Sequence, residues 1–428
     1  MTAIKTIYIP LLKYHLPLFT LLICISSASG QQRTGLSGWL SENALNIGNY
    51  PYEQLAGNDS LINYFADKRI IGAGEATHGT SDFQILKYEL FKTLVKRYGF
   101  RALALEVPND AVQAANDYIV HSTGDPKAAV KKLTYWTYHT EETLSLLEWI
   151  RNHNASVIDS EKVRICGIDI SFSVDGERLK DSLVPLKVVS EAMIDSLSMI
   201  TQLASQLGPI SADRWASLDR LASKILHYVQ RDEDFRARFG EPYIRNLELS
   251  LIGVKQFTSA RLLPRRKQNT SYRDSCMASN AIWVSKNLSP NGKLFIGAHN
   301  GHIQNSRFES RYYPMGYFLK KQAGDAYYSI GFQFSRGDFS AVLYRPELKR
   351  FKGIGKATIE KGTKYSLGEL LNATGFGNFF IHFPDPELKT GHPLFYKNAV
   401  MRSIGCCYDP KRDAANYQRG IPGELYDG

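Results

Sequence analysis

The chain has little of several things that would assign it quickly. Only five of its 428 residues are cysteine. Without Cys24, which falls in the N-terminal segment discussed below, Cys166, Cys276, Cys406 and Cys407 are too few for a disulfide framework and have no zinc-site spacing. An oxidising compartment would permit one bridge, and the sequence does not fix the pair. No GxSxG elbow occurs, so the serine chemistry of ordinary α/β hydrolases is unsupported. HExxH, GxxxxGK(S/T) and GxGxxG are also missing, which removes the zincin, P-loop and dinucleotide signatures. There are no internal repeats and no low-complexity tracts. The net charge of +10 is spread along the chain. Its densest cluster, Arg261, Arg265, Arg266, Lys267 and Arg273, lacks the basic–aromatic repetition of a nucleic-acid groove. It supports no more than a modest preference for anionic surfaces.

What is present is ordinary globular composition, 43% apolar and 22% charged. The length suffices for one large domain or two smaller ones. Residues 1–30 stand apart. Lys5 and Lys13 precede the apolar run Leu16 to Ile25, and Ser26-Ser27-Ala28-Ser29-Gly30 follows. A basic start, a short apolar stretch and small residues describe a secretory signal cleaved after Gly30. The run is short for a membrane span, and the bulky Ile23 before Cys24 argues against lipid attachment. The expectation is a periplasmic or secreted protein, residues 31–428, with no stable membrane anchor after cleavage and no nucleic-acid partner.

Short apolar runs at Ile70–Ala73, Ala102–Val107, Val163–Ile168, Leu294–Gly297 and Tyr328–Phe332, with Phe379–Phe383 later, read as buried parallel strands. Leu86, Leu90, Phe91, Leu94 and Val95 recur at helical spacing between the first two, and Gly99 ends that helix. Strand, helix, strand is the unit of a parallel sheet with helices on both faces. Between Gly176 and Asn291 the pattern is helical, which predicts an inserted subdomain or lid over 176–291. The tail beyond Arg345, rich in Gly, Pro and Lys, is expected to wrap back onto the core.

The polar residues follow the strands. Gly72-Ala73-Gly74-Glu75-Ala76-Thr77-His78-Gly79-Thr80 follows the first; Glu106 ends the second; Asp169 ends the third; Gly297-Ala298-His299-Asn300-Gly301-His302 follows the fourth. In open parallel sheets ligands bind beyond the carboxyl ends of the strands, so these residues form one candidate site. For any one alone, a cap or a satisfied core hydrogen bond explains it as well. Ser81 and Gln84 have capping-box spacing, which starts the helix near Asp82. His78 then lies just before a helix N-terminus, where a neutral ring suited to a general base is favoured. His299 and His302, three apart, suit either a metal site completed by Glu75, Glu106 or Asp169, or hydrogen bonds to a substrate carbonyl. Arg273 lies on the inward face of a helix with Met277, Ala281, Val284 and Leu288. It is paired with a core carboxylate or aimed into the acidic pocket.

At these residues the chain resembles the erythromycin esterase family. The pieces are Gly74-Glu75-Ala76-Thr77-His78-Gly79-Thr80 with Phe83, Ala104-Leu105-Glu106, and Trp136 through Glu141-Glu142 to Trp149-Ile150-Arg151. They continue with Gly167-Ile168-Asp169, Tyr272-Arg273-Asp274 through Met277 and Asn280, Ala298-His299-Asn300-Gly301-His302-Ile303, and Met315-Gly316. They run in family order over about residues 60–330. The resemblance implies a three-layer α/β/α fold with a mostly parallel sheet and a helical insertion. It further implies a hydrolase, independent of metal or loosely linked to one, in which a histidine activates water against a macrolide lactone. His78 is then the base, with Glu106 and Glu75 as its carboxylates. Lys87, Asp169, Arg273, His299 and His302 are expected to hold the small-molecule ester or lactone, without a required cofactor. Two departures stand out: Lys87 replaces an arginine common in the family and loses its planar fork, and Asp82 replaces a glutamate.

Overall fold

In a computed structural model, residues 35–170, 175–198, 210–264, 270–307, 312–384 and 391–428 are described. They are built around a five-stranded parallel sheet. Its strands are β1 (Ile70–Ala73), β2 (Ala102–Pro108), β3 (Arg164–Asp169), β4 (Leu294–Gly297) and β5 (Tyr327–Ile330), in the spatial order β3-β2-β4-β1-β5. Every residue of β1, β2, β4 and β5 is buried, which is why the strands read as unbroken apolar runs rather than alternating ones. Pairing sets Gly167, Leu105, Gly297, Ala73 and Ile330 in one row across the sheet. Glu106, Asp169, His299 and Glu75 all fall one or two residues beyond that row, at one edge.

The pleat sorts the strand residues into two cores. Ile71, Leu103, Ile165 and Phe295 point to the face covered by α1 (Ser81–Tyr98), α2 (Gln113–His121) and α3 (Glu141–Ala155). In α1, Leu90, Phe91, Leu94 and Val95 are buried as expected, and Gly99 ends the helix at φ 69°, a left-handed cap. Its start differs from the capping-box reading. The helix begins at Ser81 behind Thr80, which makes no side-chain cap bond. Ser81 Oγ instead donates to Glu142, and the Gln84 amide donates to Thr137 O at 2.6 Å. Both capping side chains are drawn into tertiary contacts that local spacing cannot reveal.

After β3 come α4 (Gly176–Leu183), α5 (Glu191–Ser198), α6 (Ala212–Arg231), α7 (Glu233–Phe239) and α8 (Glu241–Leu262). They enclose a core of their own, with Leu179, Ile194, Leu218, Ile225, Leu251 and Phe257. The following helix, α9 (Thr270–Asn287), belongs to the sheet instead. Its Met277, Ala281 and Val284 pack with Ile70, Ala104 and Ile296 on the second face, beside α10 (Asn300–Ile303) and α11 (Met315–Ala323). The stretch expected as one helical insertion thus divides between these two cores.

One strand reading is corrected. Phe379–Ile381 is a strand, but it pairs antiparallel with Ala44–Asn46, outside the parallel sheet; a short apolar run does not reveal its partner. The tail wraps back onto the sheet. β6 (Gly337–Arg345) and β7 (Arg350–Ile359) form an antiparallel pair, and Cys407–Tyr408 joins β6 in parallel. Asp427 accepts from the Ser329 N–H of β5 at 2.8 Å. The leader expected at 1–30, and Arg265, Arg266 and Lys267 of the basic cluster, lie outside the described residues.

Candidate active site

The loop after β1 turns tightly against the tail. A Cβ on Gly79 would sit 1.9 Å from Ser340 O, so only glycine lets the loop back onto β6. Two backbone bonds fix it there, Ser340 N–H to Gly79 O at 2.9 Å and Ile404 N–H to Ala76 O at 2.7 Å. Within this loop His78 Nδ1 lies 2.6 Å from Glu75 Oε1. The carboxylate can only accept, so Nδ1 carries the proton and a neutral ring leaves Nε2 as an acceptor. Nε2 has no hydrogen-bond partner among the described residues, and the ring is partly exposed. The other Glu75 oxygen accepts from Lys87, which is buried on α1. Burial pushes the Glu75 carboxyl up, but Lys87 and His78 outweigh it and bring it down to about 2. Lys87 is therefore a buried partner of Glu75.

A second, larger network spans the other strand ends. Arg273 enters from α9 and donates through Nε to Asp169 Oδ1 at 2.8 Å. Its Nη2 donates to Asp169 Oδ2 at 2.6 Å and to Glu106 Oε1 at 3.0 Å. His302 is gripped on both nitrogens, with Nε2 3.1 Å from Glu106 Oε1 and Nδ1 2.9 Å from Asp274 Oδ2. Burial opposes a charge on this ring, but Glu106 and Asp274 raise it to about 10, which makes it an imidazolium donating from both sides. Arg273 Nη1 lies 3.3 Å from His302 Nε2. With a proton on that nitrogen, this is an approach of two cations held together by Glu106, not a hydrogen bond. Nη1 is thus the one guanidinium nitrogen with no acceptor among the described residues. Glu106 itself is held well below the usual carboxylate range against its burial, chiefly by His302 and then Arg273. Its second oxygen accepts from the His299 N–H at 3.2 Å.

His299 stands between the two networks, with its ring centroid 4.9 Å from that of His78. Its Nε2 lies 3.1 Å from Ile404 O, which can only accept, so that nitrogen is protonated; Nδ1 accepts from Gly301 N–H at 3.2 Å. Burial first, then the nearby His78 and His302, lower its pKa to about 3 and keep it neutral. All four ring nitrogens of His299 and His302 are thus engaged by protein groups. Among the described residues no group of three or more His, Cys, Asp or Glu side chains is disposed to hold a metal.

The structure therefore brings Glu75, His78, Glu106, Asp169, Arg273, His299 and His302 to one sheet edge, with Lys87 behind. It adds residues that strand-end reasoning missed. Asp274, wholly buried, orients His302 and also accepts from Met315 N–H at 2.9 Å. Its place one residue after Arg273 was visible, its partner not. Tyr138 Oη accepts from Glu106 N–H at 3.2 Å, and its own proton, retained because burial raises its pKa, has no partner among the described residues. Ile404 contributes only backbone, which no residue pattern signals.

A profile of the family described as erythromycin esterase matches residues 95–428, so the Glu75–His78 loop precedes the matched stretch. Erythromycin esterase type II of Escherichia coli is 23% identical over 378 residues, covering 78% of this chain and 85% of that protein. A Bacillus cereus crystal structure superposes with a TM-score of 0.78 at 22% identity, over 92% of this chain and 96% of that one. An erythromycin esterase mutant in its open conformation gives a TM-score of 0.55 at 17% identity, over 86% and 91%. The structural likenesses speak for the fold, and the profile, which takes in Glu106, Asp169, Arg273, His299 and His302, speaks for the lineage: the chain belongs to the erythromycin esterase family.

Proposed function

We propose that this hydrolase cleaves an ester or lactone, with His78 activating the attacking water. The observation that carries the reading is the 2.6 Å bond between His78 Nδ1 and Glu75 Oε1, which leaves Nε2 as an unpartnered base. Glu75, fixed by Lys87, holds the tautomer and balances the charge His78 gains. Water gives its proton to Nε2 as its oxygen bonds to the carbonyl carbon. The developing oxyanion is met by Arg273 Nη1 and the Tyr138 hydroxyl, both donors without another acceptor. The carbon–oxygen bond to the alkoxide then breaks, and His78 returns the proton to the leaving alcohol. Glu106, Asp169 and Asp274 act by holding Arg273 and His302 in place.

Relatives named as erythromycin esterases make macrolide lactones the first substrates to try. The reading is tested with a panel of macrolides and aryl esters in isotopically labelled water. The expected result is a product heavier by one water, with the label in its carboxylate. Tight binding without product across the panel would point to a binding protein and sink the proposal.

A further inference from the structure

We propose that Cys406 and Cys407 are a modification site: a vicinal dithiol that closes reversibly to a disulfide by exchange with a small-molecule disulfide such as oxidised glutathione, and thereby loosens the catalytic loop. The two sulfurs lie 3.0 Å apart, with Cys406 exposed and Cys407 half-buried. Cys166 and Cys276 are buried, so among the described cysteines small thiol reagents meet only this pair. Burial and the neighbouring Cys406 push the Cys407 thiol up to about 11, which leaves the exposed Cys406 as the point of entry. Its thiolate attacks one glutathione sulfur and releases the first glutathione thiolate. Cys407 then attacks the Cys406 sulfur and releases the second. Two cysteine sulfurs are oxidised, one glutathione disulfide is reduced, and the two thiol protons pass to the two glutathiones.

The consequence follows from backbone geometry. Adjacent residues hold their Cα atoms about 3.8 Å apart, closer than the roughly 4.4–6.8 Å that disulfides ordinarily span. That spacing is covalently fixed, so the strain of the closed ring falls on the torsions of the peptide between them, whose carbonyl, Cys406 O, now accepts from Val342 N–H of β6 at 2.9 Å. Both supports of the catalytic loop are near. Two residues before Cys406, Ile404 donates to Ala76 O and accepts from His299 Nε2. Two residues before Val342, Ser340 donates to Gly79 O. Between Ile404 and Cys406 only Gly405 intervenes, and a Cβ there would meet nothing within 4 Å, so no packing absorbs that strain. Any effect on turnover rests on the role given to His78 above; the thiol chemistry and the loosening do not.

The test treats the full chain with oxidised glutathione and reads intact mass, peptide mass and amide hydrogen exchange. The expected result is loss of two hydrogen masses mapped to the peptide holding Cys406 and Cys407, reversed by dithiothreitol. Exchange at the Val342 and Ile404 amides should rise by at least about fivefold. The double variant Cys406→Ser, Cys407→Ser should show neither change. A persistent glutathione adduct, a disulfide-linked dimer, a bond involving Cys166 or Cys276, or ring closure with unaltered exchange would each overturn the proposal. None of these readouts depends on hydrolysis, so a failed esterase assay leaves the test intact.

Discussion

Replacing Asp274 with asparagine keeps the shape of a wholly buried side chain and removes its charge. In the native protein Glu106 and Asp274 raise His302 from 6.5 to about 10, against burial. A folded pKa raised in this way stabilises the protein fully below about pH 6.5, and the contribution fades as pH climbs towards 10. The move corresponds to roughly 4–5 kcal/mol across that window. In Asp274→Asn an amide oxygen at the Oδ2 position can still accept from Met315 N–H and from His302 Nδ1, but the negative charge that holds the second proton on the ring is gone. Removing one partner of a buried ion pair costs about 3–5 kcal/mol. Urea unfolding at pH 7 should therefore show a loss of that size, and the decline between pH 6.5 and 10 should flatten. Nitrogen NMR of the ring at pH 8 should find both nitrogens protonated in the native protein and a neutral ring, with one bare nitrogen, in the variant. A variant within about 1 kcal/mol of the native protein, with the same alkaline slope, would refute the assignment of His302 as an imidazolium.

Two predictions concern the other network. Lys87→Met should lower stability at pH 7 by about 2–4 kcal/mol, because Glu75 is left buried without its cation, and should lower kcat more than it raises KM; a rise in KM alone would instead mark Lys87 as a substrate contact. Glu75 has the opposite sign to His302: its folded pKa is depressed from 4.5 to about 2, so its contribution is present above about pH 4.5 and lost as pH falls towards 2, about 3 kcal/mol in all. Acid unfolding of Glu75→Gln should lack that portion of the slope.

The sheet was legible because each of its strands is covered on both faces, so residues such as Ile70 and Ile71 had to be apolar together. Its ends were legible as a site because one row, Gly167 to Ile330, aligns all five strands. Arg273 could be placed inward from helical spacing with Met277 and Ala281. What spacing could not give was partnership. The place of Lys87 in the sequence says nothing of its pairing with the carboxylate twelve residues earlier. His299 and His302 looked alike as neighbours, yet one is a neutral strut on a backbone carbonyl and the other a buried cation. Ile404, about a hundred residues from His299, enters through its carbonyl and amide alone, which any side chain would carry. Phe379–Ile381 was readable as a strand but not as an antiparallel partner of Ala44–Asn46.

The central claim is that His78 takes the proton from water, and single-turnover kinetics of His78→Asn test it most directly. Asparagine can still donate to Glu75, so the fold and the affinity for substrate should persist. The account predicts a fall in the chemical step of at least about 10²–10⁴-fold, with unfolding free energy close to the native value and binding unchanged. A variant that turns over ester or lactone at the native rate would contradict it.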